Sequence, residues 1–370
     1  MQNNKRVKFV NKDKNLFYQT LKKRVDQYFT TQQISKNANG AMVFKTIVLM
    51  SAYILPFVLL LMLKPDLPLS LVLWFIMGLG VAGIGMSIMH DANHGAYSTN
   101  DKINYIVGHS LNLVGGSVFN WKLQHNILHH TYTNIAHIDE DIEDRLVLRF
   151  SPHTEVKFYH QLQWVYAFLF YGLLTLYWVV AKDIVQFVKF TRNGTNPHTG
   201  TDNKIIFLKI ALSKIIYLFV IFVVPVFYFK IPFLEVLAGY LLMHFTAGII
   251  LTVVFQLAHT VEGTSHPLPN ALGNIENDWA IHQLNTTVNF SPNSKFISWY
   301  VGGLNYQIEH HLFPRVCHVH YPHIASIVKE TAAEFGIPYM VNPTFGQALK
   351  SHMATLHRFG RLPDMNTAIS

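Results

Sequence analysis

Residues 69–94 read LSLVLWFIMGLGVAGIGMSIMHDANH. Up to Met89 the stretch carries no charge, and it has the ~20-residue length an α-helix needs to cross a hydrocarbon core. It then runs without a linker into His90-Asp91-Ala92-Asn93-His94. Two histidines four apart share one helix face, with Cβ atoms about 5–6 Å apart. A membrane helix that closes on a pair of imidazoles poses two questions: how many such helices the chain has, and which other residues complete a metal site.

The composition answers the first in outline. The chain has 370 residues, 50% hydrophobic and 14% charged, against about 25% charged in soluble domains. It reads as a membrane protein. The formal charge is +8, but Lys and Arg flank apolar segments, which fits membrane anchoring and excludes a nucleic-acid partner. The single cysteine, Cys317, excludes a disulfide framework and a thiolate metal site. Histidine is the anomaly, at 21 residues.

The N-terminus is polar and basic, with Lys5, Arg6, Lys8, Lys22, Lys23 and Arg24, so no signal peptide is expected. The segment from Asn11 to Phe29 is expected to form a lead-in helix on solvent or the membrane surface, with Leu16, Leu21, Val25 and Phe29 on one face. The apolar run 42–63, turned by Lys64-Pro65-Asp66-Leu67-Pro68, forms a helical hairpin with 69–89. Gly78, Gly80, Gly83 and Gly85 read as close helix packing. A second hairpin joins 213–229 to 234–258 through Lys230-Ile231-Pro232, with Lys209 and Lys214 placed to snorkel. The run 103–119 is broken by polar residues and glycines. The run 162–181 is apolar but crowded with aromatics, which favour the membrane interface.

The expected fold is therefore all-α integral membrane, with two transmembrane helical hairpins (four spans). A helical cytosolic cap, 90–212 and 259–370, holds a dinuclear metal site. Residues 1–41 are the cytosolic lead-in and 42–370 a single membrane domain. Both termini and the site lie in the cytoplasm. If the histidine clusters form one site, an even number of spans separates them, which puts 162–181 in the interface.

Three clusters carry the chemistry: His90 and His94; His125, His129 and His130; and Gln307, His310 and His311. His259 closes the fourth span. Eight imidazoles are too many for one first-row metal and suit two, and sulfur-free nitrogen ligation fits Fe, Zn, Cu or Ni. Asp91 and Glu309 sit inside the clusters and are expected to orient ligands through hydrogen bonds. His244, inside the last span, reads as a hydrogen-bonded core histidine. Gly302-Gly303 reads as a tight backbone approach into the third cluster. Lys122, Arg145 and Arg149 are cations on the cytosolic side that would face solvent or an anionic head group.

At His90–His94, at His-Asn-Ile-Leu-His-His (125–130) and at Gly-Gly-Leu-Asn-Tyr-Gln-Ile-Glu-His-His-Leu-Phe-Pro (302–314) the chain resembles the membrane-bound fatty acid desaturases. The resemblance runs from about residue 45 onward. It implies two iron ions, O2 as co-substrate, two electrons, and removal of two hydrogens from a fatty acyl chain held as acyl-CoA or acyl lipid. It implies His90, His94, His125, His129, His130, His310 and His311 as ligands, with His259 as a further one. Gln307 in place of a histidine resembles the front-end subgroup, and its role is either ligand or orienter. No fused b-type cytochrome motif is present, so the expected donor is a separate ferredoxin or b-type cytochrome with its reductase. The resemblance points to a bacterial inner membrane. The alternatives are a fatty acyl or lipid hydroxylase of the same superfamily, a histidine-rich membrane metal transporter, or a membrane cytochrome.

Overall fold

The computed structural model describes residues 7–10, 16–142, 147–363 and 365. Lys5, Arg6, residues 11–13 and Arg145 lie outside the described residues. The protein is mostly helical. Its strands are two residues long: Lys8–Phe9 runs parallel to Asn274–Ile275, and Asn289–Phe290 to Val341–Asn342. Among the described residues, five helices are long and apolar enough to cross a membrane: Gly40–Leu63, Leu67–Asn93, Phe158–Arg192, Gly200–Tyr228 and Phe233–His259. Four coincide with the expected spans, Gly200–Tyr228 ending one residue before the expected end at 229. The Gly200 helix starts earlier than expected because its polar N-terminal turns are also helical.

The helix Phe158–Arg192 contains the segment expected in the interface. Its exposed apolar and aromatic residues Leu162, Val165, Leu169, Leu173, Tyr177, Val180, Ile184 and Val188 recur every three or four positions. That is one exposed apolar stripe along a helix.

The chain divides into two compact units, Met1–Lys36, Gln124–Ala167 and Val254–Ser370 in one, and Asn37–Leu123 and Phe168–Val253 in the other. The first unit buries Phe17, Leu21, Val25 and Phe29 of helix Phe17–Gln32 in one core with Leu284, Ile308, Leu312, Ile324 and Val328. The lead-in helix is thus a core element, and Leu16 lies outside its buried face at 56% exposure. Arg24 holds it to helix Tyr321–Glu334 through two bonds to Glu334, at 2.8 and 2.7 Å.

In the second unit the glycines do what their density suggests. A Cβ on Gly80 would lie 2.8 Å from Tyr53 N, and one on Gly78 2.7 Å from the Met243 carbonyl oxygen. His244 is a core histidine, its Nε2 2.7 Å from the Tyr217 hydroxyl. Lys214 does not snorkel. Its ammonium is buried 2.8 Å from Asp183 and also donates to the carbonyls of Gly115 and Trp178. Trp178 Nε1 and Asn120 Nδ2 donate to Asp183 in turn. A buried ion pair with its remaining valences satisfied is tolerated where a lone buried charge is not.

Candidate metal centre

Six of the eight predicted histidines come together in the first unit. His125, His129 and His130 leave the π-helical segment Lys122–His129 and the turn that follows it. The wider π turn brings positions i, i+4 and i+5 onto one side, and such segments recur at functional sites. His259 comes from the last turn of helix Phe233–His259, and His310 and His311 from the short helix Gln307–Leu312. Ring centroids are 4.7 Å apart for His129 and His259, 4.9 Å for His129 and His311, and 5.0 Å for His259 and His311. His130 packs 4.6 Å from His310 and 4.5 Å from His311, and its Nε2 lies 3.3 Å from that of His125. All six are buried.

Four of these rings have their Nδ1 fixed by a named group. Asp139 takes His129 at 2.9 Å and Asp141 takes His125 at 3.1 Å. Gln283 Oε1 lies 2.9 Å from His311 Nδ1, and the Tyr321 hydroxyl 3.1 Å from His310 Nδ1. Burial pushes the His129 pKa down, but the Asp139 carboxylate, helped by Asp141, outweighs it and the net shift is upward. Asn134, in the left-handed conformation, ties the parts together: its Nδ2 donates to the carbonyls of His259 and Thr286.

The donor set fits a metal. His129 Nε2 and both ring nitrogens of His259 are buried without a hydrogen-bond partner. One ligand nitrogen from each of His129, His259 and His311 lies within 4.8 Å of the others. Buried unpaired polar atoms are costly, and a cation among them would take up one lone-pair nitrogen of each ring.

His90 and His94 lie in the second unit at the end of helix Leu67–Asn93, with ring centroids 4.8 Å apart. The Trp121 indole packs edge-on against both, at 5.7 and 5.5 Å.

The fatty acid desaturase family model matches residues 66–343. The chain is 36% identical over 349 residues to the sn-1 linoleoyl-lipid 6-desaturase of Arthrospira platensis, covering 94% of each. It is 34% identical over 359 residues to the protein of the same name from Synechocystis sp., covering 96% of this chain and 98% of that one. It is 37% identical over 346 residues to an acyl-lipid (8-3)-desaturase of Physcomitrium patens, covering 93% of this chain and 72% of that one. The chain belongs to the fatty acid desaturase family.

The protein is thus an oxidoreductase of the membrane, and the transporter, cytochrome and hydroxylase readings fall away. In this desaturase the two carboxylates read from the sequence sit differently from expectation. Asp91 lies 4.0 Å from His90 Nδ1, beyond hydrogen-bond reach. Glu309 accepts from Asn289 at 2.7 Å and Tyr339 at 2.8 Å, so it anchors the Gln307–Leu312 helix and reaches the imidazoles only through its backbone. Burial pushes its carboxyl up to about 7. Gln307 opens that helix and is buried.

The residues that do hold imidazoles, Asp139, Asp141, Gln283 and Tyr321, lie outside the three clusters. Asp139 and Asp141 follow the second cluster within a dozen residues, which was the available signal. Gln283 and Tyr321 had none. Arg149 is buried, donating to the carbonyls of Leu362 and Pro152 at 2.6 and 2.9 Å; it pins the C-terminal segment and faces neither solvent nor a head group.

Proposed function

We propose that this desaturase places a cis double bond in an acyl chain of a membrane glycerolipid, on the carboxyl side of an existing double bond. O2 and two electrons from an electron carrier drive the reaction. The observation that carries the reading is the helix Gln307–Leu312, whose Gln-Ile-Glu-His-His sequence brings two imidazoles into the buried cluster. The likeness to two lipid 6-desaturases over nearly their whole length supports the lipid-linked, front-end assignment.

The proposed ligands of two iron ions are the six histidines of the first unit with His90 and His94, and Gln307 as ligand or orienter. When bound, iron supplies with O2 the oxidising power that an unactivated C–H bond requires. The chain's own residues supply the rest. Asp139, Asp141 and Tyr321 hold three rings by Nδ1, which leaves Nε2 as the nitrogen turned to the metal. Burial of all six rings keeps bulk water from the reacting carbon.

In the second unit an apolar crevice is lined by Val81, Gly85, Leu111, Gly116, Trp178 and Val179. His129 and His259 are neighbours, so an even number of the three long helices between them crosses the bilayer. The proposed topology has four spans, with Phe158–Arg192 in the interface and both termini in the cytoplasm, in a bacterial inner membrane.

The test is expression in a host of known lipid composition, followed by fatty acid analysis. Wild type is expected to give a new double bond and His310→Ala none.

A further inference from the structure

The helix Trp279–Thr286 belongs to none of the histidine clusters, yet it touches two of them. Gln283, fully buried on it, sits between the second and third clusters. Its Nε2 donates to the His130 carbonyl at 3.3 Å. Its Oε1 faces His311 Nδ1 at 2.9 Å and lies 2.8 Å from Thr133 Oγ1, whose single hydrogen is shared with the His129 carbonyl at 2.7 Å. The His130 carbonyl can only accept, so the amide nitrogen must face it and the amide oxygen must face His311. An amide oxygen also can only accept. His311 Nδ1 therefore carries the proton, and Nε2 of the neutral ring is the basic nitrogen.

We propose that Gln283 is a positioning residue of the metal centre: it fixes the tautomer and orientation of His311 so that Nε2 meets the metal. The proposal rests on the metal reading given above. Gln283 differs in kind from Asp139 and Asp141. Those are carboxylates that add negative charge behind His129 and His125, whereas Gln283 orients His311 with a neutral dipole. The same amide joins the His130 backbone to the His311 ring, so it also sets the spacing between the two clusters. Trp279 serves as an internal control. Its Nε1 donates to the same His130 carbonyl at 3.2 Å, and this bond does not involve His311.

The test uses full-length protein in detergent, stripped of metal and titrated with Co2+ against a chelator. It reads affinity and the visible d–d bands, which report coordination geometry. Gln283→Leu is expected to weaken binding about 10–100-fold, the usual effect of losing a hydrogen-bond partner of a ligating histidine, and to alter the bands. Trp279→Phe is expected to leave both at wild-type values. Thermal unfolding of the metal-free proteins checks folding, and Gln283→Met carries the same test if the leucine variant does not fold. Wild-type affinity and bands in the Gln283 variant would overturn the proposal, as would equal weakening by Trp279→Phe, which would make the helix a packing element only. A wild-type protein that binds no Co2+ would instead overturn the metal reading, and this proposal with it.

Discussion

The Nδ1 of His129 lies 2.9 Å from an oxygen of Asp139, and neither side chain is exposed. The same oxygen accepts the Asn134 backbone N–H at 2.9 Å, and the other accepts that of Asp141 at 2.9 Å. One carboxylate thus shapes the turn after the second histidine cluster and aims a ring of that cluster.

Asp139→Asn removes the charge behind His129 and is expected to weaken metal binding about 10–100-fold, measured as metal per chain after dialysis against a chelator. Asp139→Ala also strands two backbone donors, each costing about 1–3 kcal/mol when buried. It should therefore lower the unfolding temperature of the metal-free protein as well. Equal metal content in wild type and Asp139→Asn would contradict this role.

The ring centroids of His129 and His259 are 4.7 Å apart, so the chain between them must return to the face it left. Reporter fusions at residues 150 and 195 are expected to fall on the same side of the membrane. Opposite sides would make Phe158–Arg192 a span and would require one of the two later helices to stay in the interface.

Acid should destabilise the first unit. Burial, the largest cause in each case, pushes His266, His282 and His352 down to about 4. In the unfolded chain they titrate near ~6.5, so between those values the unfolded state binds more protons. Their contribution is complete above ~6.5, declines as pH falls and is lost by about 4, on the order of 3 kcal/mol per group. Unfolding of metal-free protein followed from pH 7 downward should show that decline; a flat profile would contradict it.

A Cβ on Gly85 would come 3.1 Å from Leu251 Cδ2 at the wall of the apolar crevice. Gly85→Leu is expected to overpack this contact and lower the unfolding temperature, by about 1–3 kcal/mol of stability, read by thermal unfolding. An unchanged unfolding temperature would contradict the close packing at this glycine.

Much of this was legible in the residues because it rests on local pattern. Charge-free runs and their turns announce membrane helices, and His-x3-His spacing announces shared faces. Gly303 was legible as a close approach: its φ is +67° and a Cβ there would lie 2.7 Å from the Cβ of His318. What stayed hidden depends on tertiary contact. No sequence period assigns Gln283 to His311 across 28 residues or Tyr321 to His310. Proximity in sequence misled for Glu309, because a helix residue beside two ligands points away from them, toward Asn289 and Tyr339. Lys214 looked like a snorkelling lysine because its partner, Asp183, lies on another helix.

The most direct test of the account is the position of the double bond. Host lipids from cells expressing wild type and His310→Ala would be analysed by gas chromatography–mass spectrometry of derivatised fatty acids. The account predicts a new cis double bond on the carboxyl side of an existing one in wild type, in glycerolipid acyl chains, and its absence in His310→Ala. A hydroxylated chain, a new bond on the methyl side, or the same product from both proteins would contradict it.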